Sequence, residues 1–319
     1  MDTIQDLGTP PVACAATYPI DASLHWTDHF VEYGFAILRG LVSRDYCERA
    51  VAEMHRIVDD PRPLTEWTSD QPGNRYNISY YEDPGRCGTV ERSPVLEQVF
   101  DDPDFLAMID TMFGGPDVFD GVRNLIVMLR CYDPEGKPDT GSIHMDYQSQ
   151  PAPILARGFA AQVALSGTDP SGGNTLVWPG THKQVQKALI DFPDRQFPDL
   201  YSEITLDMEP VEFVAEPGDV LLMHPIAVHS ASLNQAPGRK PRIAIFTECY
   251  RSKWFTEIDP ATPNLSPYER SIGLNGYYKD TRDNASSCRQ SRIEFIEKLE
   301  SEGHVIDDKW KRYADWSTM

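Results

Sequence analysis

Between about residue 117 and residue 250 the chain is a series of short apolar runs, each bounded by turn-forming residues. The runs cover residues 125–132, 159–166, 174–178, 211–215, 219–223 and 242–250. Runs of this length are typical of strands rather than helices, and the Gly, Pro and Asp clusters between them are typical of turns. The pattern therefore predicts a mainly β chain with helical cover, whose core is a double-stranded β-helix, the cupin-like jelly roll.

The remaining segments divide around this core. We expect one domain over residues 1–319, made of an irregular arm (1–23), a helical and loop cover (24–116), the jelly-roll core (117–250) and a C-terminal extension (251–319). Ser or Asp residues suitable as N-caps precede several apolar-periodic stretches. They predict helices over 44–59, 94–101 and 103–113, and one from Ser286 or Ser287 to about 302. The loop-like stretch 61–88, rich in aromatic residues, is a candidate cover for an active site.

The charge balance restricts the class of partner. The chain has 49 acidic and 29 basic residues, a formal net charge of −20 and a pI near 4.7. Such a surface repels nucleic acid and anionic membranes, so we expect a small-molecule substrate. The six cysteines are dispersed without a Cys-x-x-Cys pair, and no apolar stretch is long enough to span a bilayer. Reduced thiols and a cytoplasmic protein are expected, and a homodimer remains open.

A His-x-Asp pair lies in the stretch Gly141–Tyr147. Side chains alternate between the two faces of a strand, so His144 and Asp146 are expected to point the same way and Met145 the opposite way. One face would then carry two metal ligands, and a third would come from a distant strand.

Two histidines offer that third ligand within the stretch 216–230. His224 and His229 are an odd number of residues apart, so a regular strand would place them on opposite faces. His224 precedes a proline, which suits a bend or a strand edge, and we therefore choose His229. Two imidazoles and one carboxylate on one side of a metal form the facial triad of non-haem Fe(II) oxygenases.

An arginine follows on the next strand. Arg242 opens the run 242–250, which would return alongside His229, and Arg239 is the alternative. A buried arginine needs an anion, and the distal carboxylate of 2-oxoglutarate accepts a two-point pairing with a guanidinium while its keto acid end chelates iron.

These motifs together resemble the phytanoyl-CoA dioxygenase family of iron and 2-oxoglutarate oxygenases. The resemblance rests on His144-Met-Asp146, on the Gly-Asp-Val run leading to His229, and on Arg242. Two further stretches, Gly173–Lys183 and Phe30–Leu41, are similar to that family's Pro-Gly-Ser/Thr-His signature and its N-terminal entry. The resemblance covers roughly residues 24–250. It implies that Thr175 also binds 2-oxoglutarate, whereas Ser230 is displaced by one position from the family's serine.

The resemblance implies an enzyme that uses Fe(II), 2-oxoglutarate and O2 and releases succinate and carbon dioxide. The expected outcome is hydroxylation of an unactivated C–H bond of a small molecule, in secondary metabolism. Desaturation, ring closure and epoxidation remain open, whereas Asp146 fills the coordination position that a halogenase leaves to the halide. The rival functions are a metal-binding jelly roll without oxygen chemistry and a zinc-dependent hydrolase, and Arg242 favours the oxygenase over both.

Other residues have less specific interpretations. His182 is interpreted as a turn residue hydrogen-bonded to the backbone rather than as a ligand. Arg130 either points into the barrel or lies at an edge with a solvated head group. Trp178, Tyr147 and Gln148 are candidates for lining a substrate pocket or for ordinary packing.

Overall fold

The structure is a computed structural model that describes residues 25–67, 78–80, 93–116, 119, 125–133, 143–146, 158–191, 203–250 and 265–272. Its helices are α1 (Trp26–Tyr33), α2 (Arg44–Val58), α3 (Pro94–Glu97), α4 (Pro103–Phe113), α5 (Thr181–Asp191) and α6 (Pro267–Ser271). Its strands are β1 (Phe35–Leu38), β2 (Ile78–Tyr80), β3 (Leu125–Arg130), β4 (Gly158–Ala164), β5 (Thr175–Val177), β6 (Val211–Glu212), β7 (Val220–Met223), β8 (His229–Ala231) and β9 (Arg242–Tyr250). Short 3-10 turns cover Leu64–Glu66 and Gln98–Asp101.

The helix starts follow the predicted caps. The Ser43 hydroxyl accepts a hydrogen bond from the backbone N–H of Tyr46 at 3.2 Å, and α2 begins at the next residue after Ser43. The Asp102 carboxylate accepts from the N–H groups of the first turn of α4, each at 3.0 Å. The helix predicted over 94–101 is divided into α3 and a 3-10 turn. These caps satisfy backbone donors that a helix leaves without partners.

The strands form two antiparallel sheets. The large sheet has six strands in the order β1-β7-β4-β9-β3-β2, and the small sheet has three in the order β6-β5-β8. Apart from the pairs β2–β3 and β5–β6, neighbouring strands are not consecutive in sequence, as in a jelly roll. The predicted mainly β fold with a double-stranded β-helix core is confirmed.

The structure differs from the predicted organisation at one strand and at one helix. The sequence of residues 25–40 predicts a short helix followed by a strand, and α1 and β1 confirm this. β1 and β2 form the two edges of the large sheet, but β2 lies inside the stretch 61–88 that was predicted to be loop. The stretch 117–250 contains an unpredicted helix, α5, directly after the Trp178-Pro-Gly turn. The preceding Pro-Gly pair indicates a turn, so the start of this segment was interpreted as part of that turn rather than as a helix.

Two hydrophobic clusters fill the fold. The larger lies between the helices and one face of the large sheet, and includes Phe105, Phe159 and Ile245. The smaller joins the two sheets through residues such as Val177, Phe213 and Leu221. Strand β3 alternates between buried and half-buried residues, although its sequence is a continuous apolar run that is typical of a strand buried on both faces. Its second face borders a cavity.

The N-terminal entry and the Gly-Asp-Val run contact each other directly. The buried Asp219 carboxylate accepts hydrogen bonds from the Arg39 guanidinium at 2.6 Å and from the backbone N–H of Gly40 at 2.8 Å. The backbone of Gly218 has a φ of +93°, and a Cβ there would lie 2.1 Å from the carbonyl oxygen of Val42. Only glycine fits this approach, which fixes the start of β7 against β1.

Several predictions fall outside the described residues: the irregular arm 1–23, the helix from Ser286 or Ser287, and most of the extension 251–319. Within that extension, α6 packs against α1 and α4. Over the part of the chain that is described, no helix is both long and apolar enough to cross a membrane.

Candidate active site

The three predicted metal ligands come together. One ligand atom each from His144, Asp146 and His229 lies within 4.8 Å of the others. The Nε2 atom of His229 is 3.6 Å from a carboxylate oxygen of Asp146, and the two imidazole centroids are 4.3 Å apart. His229 is buried, whereas His144 and Asp146 are half-buried at the edge of a cavity. All three residues line that cavity.

The predicted alternation around Met145 holds although the segment is not a regular strand. Met145 is fully buried, while His144 and Asp146 both line the cavity. His144 forms an isolated antiparallel bridge to His229 rather than part of a longer ladder. The extended backbone therefore comes from this single pairing, and the side chains still alternate as they do in a strand.

A backbone contact orients the His229 ring. Its Nδ1 atom lies 3.0 Å from the carbonyl oxygen of Ala227. A carbonyl can only accept, so Nδ1 carries the proton and Nε2 presents its lone pair toward Asp146. A histidine that binds a metal through Nε2 needs this tautomer.

His224 lies in a different environment. It is buried with its ring 5.2 Å from that of His182 and 5.8 Å from that of Tyr268, and it is not in the ligand cluster. Burial lowers the pKa of His224, and burial also lowers the pKa of His182 to about 4. His182 is in the first turn of α5, where its Nε2 atom donates to the carbonyl of Val31 at 3.2 Å. The predicted hydrogen bond from His182 to the backbone is therefore present, although His182 lies in the first turn of a helix and not in an isolated turn.

The Arg242 guanidinium is buried and faces the cavity. It donates to the Thr175 hydroxyl at 3.0 Å, and that hydroxyl donates to the side-chain oxygen of Gln162 at 2.6 Å. The Nε–H group of Arg242 is buried without a hydrogen-bond partner among the described residues. Burial, and secondarily the charge of Arg130, lowers the pKa of Arg242 to about 9, so the group remains cationic near neutral pH. A buried cation with an unused donor is suited to an anionic ligand.

The other two arginines are distinguished by position. Arg239 stacks over the ring of Tyr132, 4.7 Å from its centroid, and does not line the cavity. Arg130 does line it and is opposite Arg242 in the pairing of β3 with β9. Of the two interpretations of Arg130, the structure supports the one that points into the barrel.

One cavity contains the ligand cluster and the Arg242 group. Its volume is about 310 Å³, and most of its lining is apolar, with Ile126, Met128, Met223 and Phe246 among the contributing residues. Ser230 also lines it, despite its displacement in the motif. Trp178 is buried but is not among the described lining residues. Tyr147 and Gln148 lie outside the described residues.

Sequence reasoning missed two polar residues: Glu248, which lines the cavity, and Gln162, which accepts the hydrogen bond of the Thr175 hydroxyl. Gln162 is the one polar residue in the apolar run of β4, and Glu248 is the one acidic residue of β9. A polar residue that interrupts a buried run is the signal that could have identified both.

The residues present fit an iron and 2-oxoglutarate site. Two neutral imidazoles and a carboxylate are the donor set of non-haem Fe(II) enzymes, and the unused Nε–H of Arg242 fits a carboxylate. The donor set therefore agrees with the cofactors that the resemblance implies.

Comparison with known proteins agrees with this site. A family model described as phytanoyl-CoA dioxygenase matches residues 30–244. The peroxisomal phytanoyl-CoA dioxygenase of Mus musculus is 24% identical over 277 residues, covering 79% of this chain and 78% of that protein.

A solved structure shows the same fold. The non-heme monooxygenase ThoJ in a nickel complex superposes with a TM-score of 0.50 at 14% identity, covering 85% of this chain and 99% of that one. The alpha ketoglutarate dependent epimerase SnoN from nogalamycin biosynthesis gives 0.46 at 19% identity, covering 71% and 81%. With two thirds of its length matched by the family model, the chain belongs to the phytanoyl-CoA dioxygenase family and is a dioxygenase that uses Fe(II), 2-oxoglutarate and O2.

Proposed function

We propose that this dioxygenase hydroxylates an unactivated C–H bond of a small molecule of secondary metabolism. His144, Asp146 and His229 hold the iron, and Arg242 with Thr175 holds the distal carboxylate of 2-oxoglutarate. The observation that carries the proposal is that a candidate metal-ligand cluster and a buried guanidinium, whose Nε–H has no partner among the described residues, line the same cavity. The net reaction converts R–H, 2-oxoglutarate and O2 into R–OH, succinate and CO2.

Each residue of the proposed site has a separate role in binding the metal or the cosubstrate. Bound Fe(II) supplies the reactivity toward O2 and the oxidation of the C–H bond. Arg242 pairs with the carboxylate of the cosubstrate, and Thr175 fixes the guanidinium by accepting its hydrogen bond. Gln162 accepts from Thr175 and holds that hydroxyl in place. The Ala227 carbonyl keeps the Nε2 lone pair of His229 available.

Because the cavity lining is mostly apolar, it supports a substrate that binds through contacts of its hydrocarbon groups. Ile126, Met128 and Phe246 remove water from the reacting region, which protects a reactive oxidant from side reactions. Asp146 in the ligand cluster supports oxygenation over halogenation, because it occupies the position that a halide needs. Hydroxylation is the simplest outcome of such a site.

Because the chain belongs to a dioxygenase family, the two rival functions, a metal-binding jelly roll without oxygen chemistry and a zinc-dependent hydrolase, are not retained. A single domain and a cytoplasmic location remain proposals, and the curated relatives from mouse and rat are peroxisomal by name.

Succinate formation tests the function. The protein loaded with Fe(II) and 2-oxoglutarate is incubated in air with a panel of small molecules, and succinate and oxygenated product are measured by mass spectrometry. We expect at least one compound to raise succinate release and to gain one oxygen atom, which ¹⁸O2 labels. Succinate coupled to loss of two hydrogens, without oxygen gain, would replace hydroxylation by desaturation or ring closure. Absence of 2-oxoglutarate turnover under every condition would contradict the proposal.

A further inference from the structure

The peptide that joins Ala227 to Val228 is hydrogen-bonded on both sides. Its carbonyl oxygen, from Ala227, lies 3.0 Å from the Nδ1 atom of His229. Its N–H group, from Val228, donates to the Thr181 hydroxyl at 2.9 Å. A trans peptide unit is planar, and its N–H and C=O bonds point in opposite directions. The partner of the N–H group therefore determines the direction of the carbonyl that orients the His229 ring.

The Thr181 hydroxyl can only accept the hydrogen bond from this peptide. The same hydroxyl donates to the carbonyl of Trp178 at 2.8 Å. A carbonyl can only accept and a backbone N–H can only donate, so the two partners fix both roles of the hydroxyl. Its one proton is used on Trp178, and its oxygen accepts from Val228. A reversed peptide would direct the Ala227 carbonyl at an oxygen that has no second proton to donate.

A second contact joins the same two segments. The backbone N–H of Trp178 donates to the carbonyl of Val228 at 2.9 Å. Thr181, Trp178, Ala227 and Val228 are all buried, so bulk water does not compete for these bonds. Strand β5, which ends directly before Trp178, pairs with β8, the strand that begins at His229. The turn between β5 and α5 therefore holds the backbone that leads into β8.

The orientation of this peptide decides which nitrogen of His229 has a lone pair. A reversed peptide would present an N–H group to Nδ1, which would then have to accept. The proton of the neutral ring would be on Nε2, and Nε2 could not bind a metal in that tautomer. In the observed orientation Nδ1 donates to Ala227, and the lone pair of Nε2 faces Asp146.

We propose that Thr181 is a positioning residue for the metal site, because its hydroxyl fixes the 227–228 peptide and thereby holds the proton of His229 on Nδ1. This inference rests on the proposed function, in which His229 binds the metal. Thr181 is not among the described residues that line the cavity, so it acts through the peptide. It is the threonine of the Pro-Gly-Thr-His stretch, to which the inference assigns a function.

The test compares three substitutions of buried threonines. Thr181→Val keeps the size of the side chain and removes the hydroxyl, whereas Thr181→Ser keeps the hydroxyl. Thr168→Val is the matched control, because the Thr168 hydroxyl also accepts from a buried backbone N–H, that of Ala215, at 3.0 Å. Thr168 is not among the described residues of the cavity. Both valine variants leave one buried N–H without its partner, so they should lose similar stability in urea unfolding.

Calorimetry measures Ni(II) binding by each variant. Groups that hydrogen-bond to metal-binding histidines contribute roughly 10- to 100-fold to metal affinity. Because Thr181 acts through one peptide, we expect the lower end of that range, about tenfold weaker binding in Thr181→Val. Thr181→Ser and Thr168→Val should stay within about threefold of the unchanged protein, which is well below that loss.

NMR of the metal-free protein labelled with ¹⁵N-histidine measures the tautomer directly. Protonated and unprotonated ring nitrogens have distinct ¹⁵N shifts, and the signals of His229 are those missing in His229→Gln. We expect the proton on Nδ1 in the unchanged protein, in Thr181→Ser and in Thr168→Val. Thr181→Val should show a fraction of rings with the proton on Nε2. This readout depends neither on activity nor on a bound metal, and a loss of stability alone does not change it.

The outcomes separate this inference from the function on which it rests. A proton on Nε2 of His229 in the unchanged protein would overturn it without any variant. Thr181→Val with an unchanged tautomer or unchanged Ni(II) affinity would also overturn it, as would equal losses in Thr168→Val. Thr181→Ala replaces the valine variant if that variant does not fold. An unchanged protein that binds no Ni(II) would instead contradict the proposed function.

Discussion

The backbones of His144 and His229 exchange two hydrogen bonds. The N–H of His144 donates to the carbonyl of His229 at 2.9 Å, and the N–H of His229 donates to the carbonyl of His144 at 2.8 Å. A main-chain pairing between strands distant in sequence therefore sets the imidazoles side by side, and Asp146 follows on the same face.

The first prediction concerns the choice between His224 and His229. His229→Ala removes a ring whose Nε2 atom faces Asp146, so we expect Fe(II) or Ni(II) affinity to fall by at least about 100-fold. His224→Ala lies outside the cluster and should bind metal within about threefold of the unchanged protein, although it is less stable because a buried ring is lost. Calorimetry on the two variants measures both affinities. Loss of metal binding in His224→Ala alone would reverse the assignment.

The second prediction concerns the cosubstrate. Arg242→Lys replaces a planar two-point donor by a point charge that cannot reach the same geometry. The loss of one charge-assisted hydrogen bond costs roughly 1.5–3 kcal/mol, so the dissociation constant of 2-oxoglutarate should rise roughly 10- to 150-fold. Titration of the Ni(II)-loaded protein with 2-oxoglutarate measures it.

Arg239→Lys is the matched control for that measurement. Arg239 stacks on Tyr132 outside the cavity, so its replacement should leave 2-oxoglutarate affinity unchanged. Equal effects of the two substitutions would show that Arg242 does not bind the cosubstrate.

The third prediction concerns Gly34, which joins α1 to β1. Its φ is +80°, and a Cβ there would lie 2.5 Å from the Nδ1 atom of His182. Gly34→Ala therefore combines an unfavourable backbone with a clash, and we expect a loss of roughly 2–5 kcal/mol in the free energy of unfolding. Gly40 has a φ of +61° with nothing within 4 Å of its Cβ position. Gly40→Ala should lose only about 1–2 kcal/mol in urea unfolding. Similar losses in both variants would exclude the contact with His182.

Much of this architecture could be predicted from local patterns. The capping residues Ser43 and Asp102 fix helix starts through contacts within one turn, and the alternation around Met145 fixes which side chains share a face. Both depend on neighbours in sequence, which a single chain reveals directly.

Contacts between distant segments could not be predicted in the same way. The edge strand β2 has little pattern of its own and is a strand because it pairs with β3. Gln162 acquires its role only when Thr175 lies 2.6 Å away, on the other sheet. Each depends on register, which tertiary packing decides.

The fourth prediction concerns acid stability. Burial lowers the pKa of His182 to about 4 and also lowers the pKa of His224, so both rings are neutral in the folded protein at pH 6. In the unfolded chain histidine takes up a proton near pH 6.5. The unfolded state therefore binds more protons between pH 6.5 and 4, and the free energy of unfolding falls as the pH is lowered through this window. His182 alone accounts for a loss of about 3 kcal/mol.

Urea unfolding at pH 7.5, 6.0 and 5.0 measures this slope. His182→Gln should be less stable at pH 7.5 but should lose less stability on acidification than the unchanged protein. An unchanged slope in His182→Gln would mean that this ring is not the titrating group.

The most direct test of the central claim is the visible absorption of the anaerobic protein loaded with Fe(II) and 2-oxoglutarate. Three protein ligands on one face leave room for the keto acid to bind through two atoms, with one position kept for O2. We expect a weak charge-transfer band that requires both additions, disappears in His229→Ala, and needs more 2-oxoglutarate in Arg242→Lys. If the protein contains stoichiometric Fe(II) and binds 2-oxoglutarate but shows no such band, the assignment of His144, Asp146 and His229 as the site of cosubstrate chelation is wrong.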